Sequence, residues 1–153
     1  MTGKEILLNQ FKACRNDNGW FTSMASAAAD LSEEQVHAKS DRDGMNSIIE
    51  IVRHLDFYNE RYLNRFRGEE VAPVEGSNDD TFTRGDAVWS RTLARYDQTL
   101  ADWMDAVEQA DPSTLERWAP DLTHLTIHNA YHIGQIVVIR KEQGSWNKAN
   151  GVS

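Results

Sequence analysis

Apolar residues in this chain recur at helical rather than alternating spacing, and only three prolines interrupt them. Such spacing gives each segment one apolar face. Helices with a single apolar stripe bury it against one another, so the pattern constrains the chain to an all-α bundle. At 153 residues the chain fits one domain, 1–153, with enough length for a core that needs no covalent staples. No repeat or low-complexity tract divides it.

Four long helical segments follow from the pattern. The first is expected from about Gly3 to Ala29, carrying Leu7, Phe11, Cys14, Phe21, Ala25 and Ala28, although propensity alone reads Asn18-Gly19 as a break. A linker with a short helical turn at Ser32-Glu33-Glu34 leads to the second, which starts near Asn46. There Ser47 and Glu50 have capping-box spacing, and Gly68 provides the stop. Ile48, Val52, Leu55, Tyr62 and Phe66 form its stripe. A polar loop, Gly68 to Thr81, has the length of a crossover or a site rim. The third helix is expected from near Thr83 to Asp111-Pro112, on a stripe of Trp89, Leu93, Tyr96, Leu100, Trp103 and Val107. Ser113 to Trp118 reads as one extra turn, and the fourth helix as about Pro120 to Gln143 with Gly144 as its cap.

Charge and cysteine content remove several function classes. The formal net charge is −8 with no Lys/Arg-rich run, which argues against nucleic-acid binding. Cys14 is the single cysteine, so no intrachain disulfide and no thiolate-rich zinc site can form. The N-terminal residues lack the apolar core of a signal peptide, and no apolar run approaches a membrane span. The expected location is cytoplasmic.

Chemistry concentrates in the histidines. His124, His128 and His132 lie four apart on the fourth helix, one turn above another with a drift of roughly 40° per step. Leu125, Ile136 and Ile139 flank the last two, placing them near the core seam and His124 toward the boundary. Two histidines at i and i+4 can aim at one ion. His54 shares a face with Ile51 and Tyr58 beside the second helix's stripe, so it can supply a third ligand across the bundle. Each of these histidines alone would read as a hydrogen-bonded core residue. Together they need three buried polar partners, or one divalent ion. On spacing alone the two readings stand level.

The run Leu122-Thr-His-Leu-Thr-Ile-His-Asn-Ala-Tyr-His-Ile-Gly-Gln-Ile136 resembles the last-helix signature of the DinB/YfiT-like superfamily. The stretch Asn46-Ser-Ile-Ile-Glu-Ile-Val-Arg-His-Leu-Asp-Phe-Tyr-Asn-Glu-Arg61 resembles its second-helix motif, and Gly144-Ser-Trp146 its tail. The resemblance implies an up-down-down-up four-helix bundle whose first helix continues through Asn18-Gly19. It also implies a metal site made by His54, His128 and His132, with His124 in a supporting or rim position. Tyr131 and Gln135 are candidates to orient ligands, Gly134 to allow close helix approach, and Asp56 or Glu60 to close the ion's shell.

Three imidazoles without a carboxylate leave one to three positions open, the pattern of catalytic rather than structural sites. Zinc suits this donor set best, with nickel, iron, manganese and cobalt as alternatives. Within that superfamily, some members resemble thiol-dependent S-transferases and isomerases that use a small cytosolic thiol, while many have no assigned activity. The resemblance therefore implies a metal-dependent enzyme, with thiol transfer to an electrophile as the leading reaction. Metal-dependent hydrolysis and a non-catalytic, stress-related metal-binding module are the alternatives. A small-molecule substrate or low-molecular-weight thiol is the expected ligand. Aromatic residues in excess of what one small bundle covers, and pairing among relatives, make a homodimer the expected assembly.

Overall fold

The computed structural model describes residues 1–152, and among them the regular structure is entirely helical. In chain order the helices are α1 (Gly3–Arg15), α2 (Met24–Ala27), α3 (Glu33–His37), α4 (Ile48–Phe66), α5 (Asp80–Thr83), α6 (Trp89–Gln109) and α7 (Pro112–Glu142), followed by a 3₁₀ turn at Lys148–Asn150. The four long ones, α1, α4, α6 and α7, form the bundle. None is long and apolar enough to cross a membrane.

Cross-helix bonds give the directions. Arg53 donates to the Asp86 carbonyl, Glu60 pairs with Arg95, and the Trp103 indole donates to the Asn59 carbonyl, so α4 and α6 run parallel. Lys4 reaches the Glu108 carbonyl while Arg15 holds Asp97, so α1 opposes α6. Phe66 meets Trp118 while His54 meets His132, so α7 opposes α4. The result is up-down-down-up.

Each long helix buries the stripe its sequence displays. Ile48, Val52 and Leu55 from α4, Tyr96, Leu100, Trp103 and Val107 from α6, and Leu7 and Phe11 from α1 are almost fully buried. Trp103 stacks on Phe11 at 5.4 Å between ring centroids and also meets Phe66 at 5.2 Å.

A polar knot pins the register inside this core. The Asn59 and Asn129 side-chain amides donate to each other at 2.9 and 2.8 Å, and the Tyr96 hydroxyl donates to Asn129 Oδ1 at 2.9 Å. Buried polar groups tolerate only the alignment that satisfies them, so α4, α6 and α7 are fixed along their axes.

Several boundaries differ from the sequence expectation. The first helix stops at Arg15, with Asn16 as its C-cap, and Phe21 and Ala25 are exposed. Propensity at Asn18-Gly19 wins over the continuous helix that the resemblance implies. The third helix starts at Trp89 rather than near Thr83, because Gly85 at φ +113° separates it from the short α5. Val88 is the N-cap of α6 without a side-chain capping bond; Asp86 accepts the Val88 N–H, and Glu33 accepts the Trp89 N–H from across the fold. The extra turn at Ser113–Trp118 is the first part of α7, capped by Asp111 with Pro112 in the opening position. Pro120 and Glu116 are both exposed, so the carbonyl that Pro120 leaves without a helical donor faces water. The turn after Ser32 is helical, with a full capping box to Gln35.

Candidate metal centre

The capping of α4 sets the site. Ser47 Oγ accepts the Glu50 N–H, and with the helix started there His54 faces α7. His128 and His132 lie one turn apart on α7 and point back at it. His54 Nε2 lies 3.0 Å from His128 Nε2, which lies 3.1 Å from His132 Nε2. One ligand nitrogen from each of the three falls within 4.8 Å of the other two. His54 and His132 are buried and His128 half-buried.

Hydrogen bonds behind the rings decide which nitrogens are free. Thr81 donates its hydroxyl proton to the Asn78 carbonyl at 2.6 Å, so toward His54 Nδ1, also at 2.6 Å, it can only accept. Gln135 Oε1 accepts from His132 Nδ1 at 2.7 Å. Both rings therefore carry their proton on Nδ1 and present an Nε2 lone pair to the centre. His128 Nε2 can donate to one of them at most. At least one of the two nitrogen–nitrogen contacts at 3.0–3.1 Å consequently has no proton along it.

Protons do not resolve this convergence near neutral pH. Burial, then the neighbouring imidazoles, pushes His54 down to about 3, and burial and His132 push His128 down to about 4. His132 is lowered by burial too, against the Gln135 bond. A divalent ion does resolve it. Nitrogens at roughly 2.0–2.1 Å from one tetrahedral zinc ion sit about 3.3 Å apart, a few tenths of an ångström wider than the two contacts here. Neutral imidazoles are the protonation state a metal requires. The residues present fit the group.

The aromatic surroundings hold the rings in place. Phe82 stacks on His54 at 3.9 Å, Tyr58 stands edge-on to His54 at 5.1 Å, and Tyr131 is edge-on to His132 at 4.9 Å. A cavity of about 480 Å³ opens beside His128, walled by Tyr58, Tyr62, Asn78, Asp121, His124, Leu125, Ile127 and Tyr131.

The remaining sequence candidates fall as follows. His124 is exposed on the cavity wall and outside the histidine cluster. Gln135 orients His132, and Tyr131 is a wall residue. Asp56 and Glu60 do not join the cluster. Asp56 lies two positions after His54, on the other side of α4, where it lines a separate cavity with Arg53 and Arg95. Glu60 is taken by Arg95. Asp56 and Asn59 are both buried. Gly134 is exposed with nothing within 4 Å of where a Cβ would stand, so it permits no close helix approach.

Sequence reasoning missed Thr81 and Phe82. Both sit on a one-turn helix at the end of the polar loop, and the only signal was that loop's length.

No curated protein sequence and no solved structure gives a significant match. The family model of the DinB superfamily matches residues 20–136. That span includes every histidine of the cluster and most of α4, α6 and α7, and the chain belongs to the DinB superfamily.

Proposed function

We propose that this chain is a metal-dependent enzyme that uses His54, His128 and His132 to hold a divalent ion, and that it transfers a low-molecular-weight thiol to an electrophilic substrate. The observation that carries the metal reading is the convergence of three Nε2 atoms with too few protons to pair them. An ion bound there lowers the pKa of a coordinated thiol or water and so supplies a nucleophile near neutral pH.

The chain's own residues prepare the rest. Thr81 and Gln135 hold the Nδ1 protons of His54 and His132, which keeps both Nε2 lone pairs directed inward. No carboxylate belongs to the cluster, so protein charge does not offset the ion's. The cavity beside His128 is large enough for a small organic substrate. Within it the thiol sulfur bonds to carbon, the leaving group departs with its bonding pair, and the thiol proton passes to water.

Cobalt-substituted protein tests this reading. N-acetylcysteine should shift its visible absorption, and protein plus N-acetylcysteine should consume 1-chloro-2,4-dinitrobenzene in a way that His54→Ala abolishes. Turnover of an ester or amide with water alone would favour the hydrolase. An unchanged spectrum at saturating thiol, with no turnover, would leave a metal-binding module.

A further inference from the structure

Asp56 is 5% exposed, and its Oδ1 has no hydrogen-bond partner. A buried carboxylate oxygen left alone is costly, and native chains rarely leave one so. Asp56 lines a cavity of about 130 Å³ between α4, α6 and the residues that follow α5, on the side of α4 turned away from His54. The guanidiniums of Arg53, Arg84 and Arg95 line the same cavity, yet none is bound to Asp56. Arg95 is held by both oxygens of Glu60, and Asp86 by the fork of Arg91. Arg53 donates through Nε to the Asp86 carbonyl, and Asp80, the acid near Arg84, accepts from Ser77. Among the described residues, Arg53, Arg84 and Asp56 are therefore left without an ionic partner.

We propose that this cavity binds a small amino acid of glycine or alanine size, its carboxylate taken by Arg53 and Arg84 and its ammonium by Asp56. Whatever fills the gap must donate to a carboxylate oxygen and accept from guanidiniums. Water does both, but the cavity holds several times the roughly 30 Å³ share of one water. An anion alone would leave Asp56 unpaired, and a cation alone would meet Arg53 and Arg84. A zwitterion satisfies both ends at once through charge-assisted bonds, and the planar fork of a guanidinium matches a carboxylate. Burial without a touching cation also raises Asp56 to about 8, and an ammonium at Oδ1 supplies that cation. At about 130 Å³, against about 480 Å³ for the cavity at His128, the space admits a hydrogen or a methyl as side chain and little more. No histidine lines it, so the site stands apart from the metal centre.

Isothermal titration calorimetry of the full-length protein with glycine, alanine, acetate and methylammonium, each to about 20 mM, tests the proposal. Glycine and alanine should bind with Kd near or below about 1 mM. Acetate and methylammonium, which offer one charge each, should bind at least about 10-fold more weakly. Phenylalanine is too large to enter. Asp56→Asn keeps the size of the side chain, removes its charge, and should bring glycine down to the level of acetate. Arg84→Ala, at an exposed position outside the ion pairs of the fold, should weaken glycine by about 10-fold and acetate with it. Circular dichroism matching the wild type establishes that each variant is folded, and if Asp56→Asn fails to fold, Arg84→Ala carries the test. A wild-type protein that binds neither glycine nor alanine would leave the cavity to water and overturn the proposal. So would acetate binding as tightly as glycine, or glycine binding that is indifferent to both variants.

Discussion

Replacing Thr81 by valine keeps the shape of the side chain but removes the oxygen that accepts the His54 Nδ1 proton at 2.6 Å. His54 is 2% exposed, so water cannot take over that bond. Two outcomes remain. If the ring keeps its proton on Nδ1, a buried donor is left without a partner, at about 1–3 kcal/mol. If the proton moves to Nε2, the lone pair that would face the ion is lost until the tautomer reverts. Either way the metal-bound state bears a cost on that order. It corresponds to about 10–100-fold weaker binding, the range seen when partners behind metal-ligating histidines are removed. Competition with a chromophoric chelator, monitored with zinc, reads the affinity directly. Thr81→Ser restores the hydroxyl and should bind within a few-fold of wild type. Wild-type affinity in Thr81→Val, or equal losses in Thr81→Val and Thr81→Ser, would refute the role assigned to the hydroxyl.

Three further outcomes follow from the buried polar groups. Burial, partly countered by Arg95, raises Asp56 to about 8, whereas the unfolded chain titrates near its ordinary 3.8. The folded chain thus holds the extra proton between those values, and stability falls with rising pH by about 1.4 kcal/mol per unit from this group. Asp56→Asn should flatten that slope in urea denaturation from pH 5 to 8, and an unchanged slope would contradict the assignment. Asn129→Ala leaves Asn59 and the Tyr96 hydroxyl without buried partners, so it should cost about 3–5 kcal/mol and lower Tm by roughly 10 °C; a drop below about 3 °C in a calorimetric scan would count against the knot. Cys14, pushed up to about 12 chiefly by burial, should resist iodoacetamide at pH 8 until the chain unfolds, and rapid labelling of the native protein would show that it is not held as described.

The bundle was legible because stripes such as Trp89–Tyr96–Leu100–Trp103–Val107 follow one helical face, and nothing tertiary is needed to read them. The three histidines that converge were legible for the same reason. The i, i+4 spacing of His128 and His132, and the place of His54 beside its stripe, are local properties. The partners behind them were not. Thr81 reaches His54 from 27 residues away, and no pattern along the chain marks it. Asn59 and Asn129 read as polar helix positions because their burial depends on each other, 70 residues apart. Helix ends depended on single residues. Gly85 at φ +113° and the Asn18-Gly19 pair break helices as propensity says, whereas Pro120 is absorbed where its turn faces solvent.

The proposed function stands on one ion held by His54, His128 and His132. Elemental analysis of protein purified without an affinity tag, alongside His54→Ala, His128→Ala, His132→Ala and His124→Ala, tests it most directly. The expected result is about one divalent ion per wild-type chain, sharp loss in each of the first three variants, and most of the metal retained in His124→Ala, whose ring lies outside the cluster. A wild-type protein that binds no zinc, nickel, iron, manganese or cobalt even when each is supplied, or a His124→Ala variant that loses as much metal as His128→Ala, would contradict it.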